Sequence, residues 1–130
     1  MGNSVKIQSA LACDDVRHEM GNKWTLVGVC GLEFQVSNFP VRMRFHFVVV
    51  AELPGAGKFD FAFRLIGPDG SVIWKSDGSV EAFKAAKGAL LPIGVSSFEL
   101  KSPGDFALEQ ESSPGKWRVI QVWSAVSSQI

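Results

Sequence analysis

Phe59-Asp60-Phe61-Ala62-Phe63-Arg64-Leu65 alternates large apolar residues with smaller or charged ones without a break. A two-residue period puts every second side chain on one face of an extended chain. Phe59, Phe61, Phe63 and Leu65 therefore make one buried row, and Asp60 and Arg64, which need water, lie opposite. Pro54-Gly55-Ala56-Gly57 before this strand and Pro68-Asp69-Gly70 after it are turns. In the second, Pro fixes one φ, Asp can bond the backbone and Gly tolerates positive φ. Ser71 to Lys75 is expected to return as its hairpin partner.

The same period runs outward from this strand in both directions. Val5, Ile7, Ser9, Leu11 and Cys13 alternate with Lys6, Gln8, Ala10 and Ala12, a strand with one buried face. Asp14 to Lys23 reads as a polar connection to a second apolar run, Trp24 to Cys30. After Gly31, Leu32, Phe34 and Val36 continue the alternation until Asn38-Phe39-Pro40. Met43, Phe45, Phe47 and Val49 alternate with Arg42, Arg44 and His46, and Val48-Val49-Val50 makes both faces apolar. Val80 to Gly88 alone fits a helical turn. Ala89 to Gly94 and Ser97 to Leu100 read as short strands, followed by one with Phe106 and Leu108 inward and a last long one from Trp117 to Val126. About eight or nine strands with frequent turns predict an all-β fold: an antiparallel two-sheet β-sandwich, immunoglobulin-like or related, with a closed β-barrel as the alternative. No repeat or linker divides residues 1–130, so a single domain is expected.

Charge and composition narrow the function classes. Lys plus Arg and Asp plus Glu number 13 each, a net charge of zero, so no bulk charge draws the chain to nucleic acid or to an anionic membrane. Hydrophobic residues make up 46%, yet no apolar run approaches the roughly 18 residues of a helical span. Met1-Gly2-Asn3-Ser4-Val5-Lys6 lacks the basic start and apolar run of a secretory signal, and Cys13 and Cys30 are too few for a disulfide scaffold. A cytoplasmic location is expected. If Asp14 to Lys23 joins neighbouring strands, Cys13 lies opposite Trp24 and Cys30 near Ile7, too far apart to pair.

Cys13-Asp14-Asp15-Val16-Arg17, Glu19, Lys23, Leu26, Gly28 and Gly31 together make the pattern C-D-D-[IV]-R-x-E-x-x-x-K-x-x-L-x-G-x-x-G. This opening resembles an uncharacterised family of small bacterial domains of unknown function. The resemblance implies a bacterial or phage cytoplasmic origin and assigns no catalytic residue. It marks Asp14 to Lys23 as the segment to watch.

That segment is also the densest polar cluster. Asp14, Asp15, Arg17, His18, Glu19 and Lys23 form a candidate binding loop. Its three carboxylates could hold a hard cation, but the spacing is not that of an EF-hand, and turn amides with Arg17 and Lys23 account for them more simply. No metal site is assigned. Cys13, five residues from His18, suggests a thiol nucleophile with an imidazole base. Adjacent carboxylates raise a thiol pKa, however, and Cys13 falls on the apolar face. Pro54-Gly55-Ala56-Gly57-Lys58-Phe59 lacks the Ser or Thr and the helix of a phosphate loop. Ten Phe and four Trp alternate as strand cores do, with no interleaved basic surface to bind nucleic acid.

No catalytic set emerges and no cofactor is implied. The sequence is read as a non-enzymatic β-sandwich that binds a protein partner or assembles with copies of itself through a sheet face or edge. A small-molecule or cation-binding module using residues 14–23, and an undetected hydrolase centred on Cys13 or His18, are the alternatives.

Overall fold

A computed structural model describes residues 5–21 and 23–128. Nine strands and no helix occur among them: β1 (Lys6–Glu19), β2 (Lys23–Cys30), β3 (Glu33–Val36), β4 (Val41–Leu53), β5 (Gly57–Ile66), β6 (Val72–Ala82), β7 (Ala86–Leu100), β8 (Gly104–Ser113) and β9 (Lys116–Ser127). They form two sheets, one of four strands in the order β2-β1-β4-β7 and one of five in the order β3-β9-β8-β5-β6. The neighbours β1-β4-β7 and β6-β5-β8-β9 follow the A-B-E and C′-C-F-G order of an immunoglobulin-like sandwich, with the β1–β2 hairpin added at one edge. Every pairing is antiparallel except β3, which runs parallel to β9. Having left β2, the chain crosses to the other sheet, and β3 closes its edge in that direction.

Aromatic side chains from both sheets meet in the middle. Phe47 of β4 lies 5.1 Å from Trp123 of β9, and Phe34, Phe45, Phe98 and Phe106 continue the network at ring separations between 5.3 and 6.4 Å. Phe59, Phe63 and Leu65 are buried as the alternation predicts. Phe61 departs from the row and is half-buried, in the part of β5 that β8 does not pair.

Three sequence expectations change. Val80 to Gly88 contains no helical turn; it is the end of β6, a bend at Phe83, and the start of β7. The two short strands expected between Ala89 and Leu100 are one, β7, whose ladder with β4 shifts register between Met43 and Phe45. In β1 the ladder with β4 slips between Ile7 and Ser9. Such a bulge exchanges the two faces of everything that follows. Val5 and Ile7 point inward, but beyond the bulge Ala10 and Ala12 do, while Ser9 and Leu11 are exposed.

β2 ends opposite Ala12, so among the described residues no strand lies on the outer edge of the first half of β1. Two side chains of the five-stranded sheet take that place. Gln110 Nε2 donates to the carbonyl of Val5 at 2.6 Å, and Arg118 donates to the carbonyl of Ile7 at 3.1 Å and to Gln110 Oε1 at 3.4 Å. Gln110 is the one buried polar side chain among the described residues, and these bonds satisfy it.

Candidate interaction surface

The bulge in β1 decides what the four-stranded sheet presents to solvent. Cross-strand partners share a face. Leu11 therefore stands beside Val48 and Pro92, Ser9 beside Val50 and Leu90, and Cys13 between Val29 and His46. Val27, opposite Asp15, extends the row along β2. Leu11, Val27, Val29 and Leu90 are 46%, 41%, 52% and 37% exposed, while Val48 and Cys13 beneath them are buried without belonging to the aromatic core. The outer face thus carries an apolar layer of its own, uncovered by any described segment. The sequence signal was Val48-Val49-Val50, the run apolar on both faces. Leu11 was hidden by the bulge, which alternation alone assigns to the wrong face.

Asp14 to Lys23 is not a connection. β1 runs on to Glu19 and turns at Met20 and Gly21, where φ is +78°, so that Glu19 pairs with Lys23 and His18 with Trp24. Alternation splits the candidate residues between two faces. Asp15, Arg17 and Glu19 share one with Thr25 and Val27; Asp14 and His18 share the other with Leu26 and Trp24. Asp15 Oδ1 accepts from the Val16 amide at 2.9 Å, Glu19 Oε2 accepts from the Thr25 hydroxyl at 2.7 Å, and the His18 ring lies 4.5 Å from that of Trp24. Among the described residues no ion pair joins Arg17 or Lys23 to these carboxylates. The three carboxylates do not converge, and no group of His, Cys, Asp and Glu side chains gathers in a metal-holding arrangement among those residues.

Asp14 has a structural partner in Gly28. With φ at +66°, Gly28 occupies the left-handed region, and a Cβ there would come within 2.9 Å of the Asp14 Cγ. Both residues belong to the opening pattern read from the sequence.

The thiols do not lie where their expected register placed them. Cys13 pairs with Val29 and Cys30 with Ala12, because the segment between them is a tight hairpin rather than a long connection. They are near neighbours, and both are free. Their side chains point to opposite faces of the hairpin, Cys30 toward the core and Cys13 away from it. Burial pushes both thiols above their ordinary pKa, and the Asp14 carboxylate adds to the effect. Cys13 Sγ donates weakly to the Asp15 carbonyl at 3.5 Å. His18, on the opposite face, is not its neighbour; His46 is, but its Nδ1 lies 3.4 Å from the Asp14 carbonyl oxygen.

No helix among the described residues is long and apolar enough to cross a membrane. Residues 8–112 match a family of unknown function, DUF6941, and the chain belongs to that family. No curated protein matches it.

Proposed function

We propose that this chain is a non-enzymatic binding module that associates with protein through the outer face of its four-stranded sheet, a second copy of itself being the occupant the face suits best. The supporting observation is the exposed apolar layer of Leu11, Val27, Val29 and Leu90 over buried Cys13 and Val48. Exposed apolar side chains gathered on one sheet face, with charge depleted at their centre, are characteristic of protein interfaces. A net charge of zero removes the repulsion that would oppose two copies meeting. The same neutrality gives no basis for nucleic-acid or anionic-membrane binding. Two unpaired thiols suit a reducing cytoplasm.

Size exclusion with light scattering tests this. The native chain should give a mass that rises with concentration toward a dimer, and Val29→Asp, on an exposed site, should return it to a monomer with its thermal stability intact. A native chain that stays monomeric at high concentration and does not bind an apolar dye contradicts the proposal.

A further inference from the structure

The outermost strands of the two sheets are β2, β7, β3 and β6. Three of them carry the devices by which sheets keep an edge from pairing with another chain. β7 has Pro92 at its middle, β6 has Lys75, Asp77 and Glu81, and β3 is four residues long. Even the uncovered first half of β1 is guarded, by Gln110 and Arg118 on the carbonyls of Val5 and Ile7.

β2 has none of these. It contains no proline, its ladder with β1 keeps one register throughout, and its single charge, Lys23, stands at its start. Gly28, at φ +66°, does not break the ladder, since Val27 and Val29 on either side keep their partners Asp15 and Cys13. Among the described residues the one side-chain hydrogen bond to its backbone is weak and internal, from Cys30 Sγ to the Gly28 carbonyl at 3.8 Å.

The direction of its backbone groups follows from Asp15. In an antiparallel ladder, opposed residues turn their amides and carbonyls either both toward each other or both away. The Val16 amide donates to Asp15 Oδ1 at 2.9 Å, so Val16 turns away from β2 and its partner Leu26 turns away from β1. Alternation gives Trp24 and Cys30 the same outward direction. Such groups are satisfied by another extended strand.

We propose that β2 pairs antiparallel with β2 of a second copy about a two-fold axis at Val27, joining two four-stranded sheets into one of eight strands. The strand is complementary to itself in that register. Leu26 comes opposite Gly28, Trp24 opposite Cys30 and Thr25 opposite Val29, so that larger side chains meet smaller ones on each face. Lys23 falls past the end of the partner strand, about 26 Å from its own counterpart at about 3.3 Å per residue, and no like charges face each other. Moving the axis to Leu26 would set Lys23 opposite Val29 and leave Cys30 unpaired. The inference rests on the self-association proposed above in taking a second copy as partner, but not on the outer face, because edge pairing leaves Leu11 and Leu90 uncovered.

The test is residue-resolved amide exchange on the native chain at rising concentration, followed by nuclear magnetic resonance. The amides of Trp24, Leu26 and Cys30 should slow, by about tenfold once about nine-tenths of the chain is paired, while those of Leu11 and Leu90 do not change. Leu26→Pro removes one outward amide without taking a donor from the β1 ladder and should be monomeric by light scattering, whereas Leu26→Ala keeps the amide and should associate as the native chain does. Association with unchanged exchange at Trp24, Leu26 and Cys30 overturns the edge and leaves the outer face standing. Association of folded Leu26→Pro at native strength also overturns it, and a native chain monomeric at every concentration overturns the second copy for edge and face alike. The exchange measurement uses the native chain, so it decides the matter even if Leu26→Pro does not fold.

Discussion

Gln110→Leu removes the one buried side chain that binds the edge of β1 while keeping nearly the same volume, so its effect isolates the hydrogen bonds from packing. Gln110 is 2% exposed and its Nε2 donates to the Val5 carbonyl at 2.6 Å. In the variant that carbonyl has no donor, and Arg118 loses the acceptor at Gln110 Oε1 but keeps its bond to Ile7. Stranding one buried acceptor costs about 1–3 kcal/mol. Partial replacement by water and by movement of the Arg118 side chain favours the lower half, about 1–2 kcal/mol. For a chain of this length that is a fall in melting temperature of roughly 3–8 °C. Urea titration should show a lower midpoint with an unchanged slope, because the same surface is exposed on unfolding. Hydrogen exchange sharpens the prediction: amides at residues 5–9 should exchange faster while those of Phe47 and Trp123 keep their ranking as the slowest. A loss below about 0.5 kcal/mol, the range of an ordinary surface change, would show that Gln110 does not hold this edge.

Phe47→Ala, at the centre of the aromatic network, should cost about 3–5 kcal/mol in the same titration, and Phe61→Ala, half-buried outside the β5–β8 pairing, clearly less. Gly28→Ala should destabilise by at least about 1–2 kcal/mol from its left-handed φ alone, with a further loss from collision with Asp14; adding Asp14→Ala should recover only the second part, a non-additivity that a double-mutant cycle measures. The buried Cys13 thiol should react far more slowly with a thiol reagent in the native state than after unfolding. Its folded pKa is raised above the ordinary value of 9.0, so its contribution to stability is complete below that pH and is lost as pH rises through it toward the folded pKa. The native chain should accordingly lose more stability than Cys13→Ala between neutral pH and pH values above 9, and equal losses would contradict the shift.

The strand period made the sandwich legible, and Phe59 to Leu65 and Phe45 to Val49 carried most of it, because Phe45, Phe47 and Val49 meet the core without interruption and Phe59, Phe63 and Leu65 do so on either side of the half-buried Phe61. What escaped was register. The bulge between Ile7 and Ser9 leaves no compositional trace, since Gln8 and Ser9 are ordinary strand residues, yet it moves Leu11 from the core to the outer face. Asp14 to Glu19 looked like a loop because it is polar on both faces; it extends as a strand because β2 pairs with it, a tertiary effect that outweighs weak local propensity. The same misreading moved Cys30 from a place opposite Ala12 to one near Ile7. The point where β5 and β8 part was invisible for a similar reason, as it depends on where a ladder stops and not on the residues of either strand.

Hydrogen exchange of the native chain at low and at high protein concentration tests the central claim directly, because it reports which surface becomes buried on association without altering any residue. Self-association through the outer face should slow exchange at residues 9–13 of β1 and 25–29 of β2 as concentration rises, and leave the outer face of β5 and β6 unchanged. Slowing confined to the five-stranded sheet, or no concentration dependence while the chain forms dimers, would contradict it.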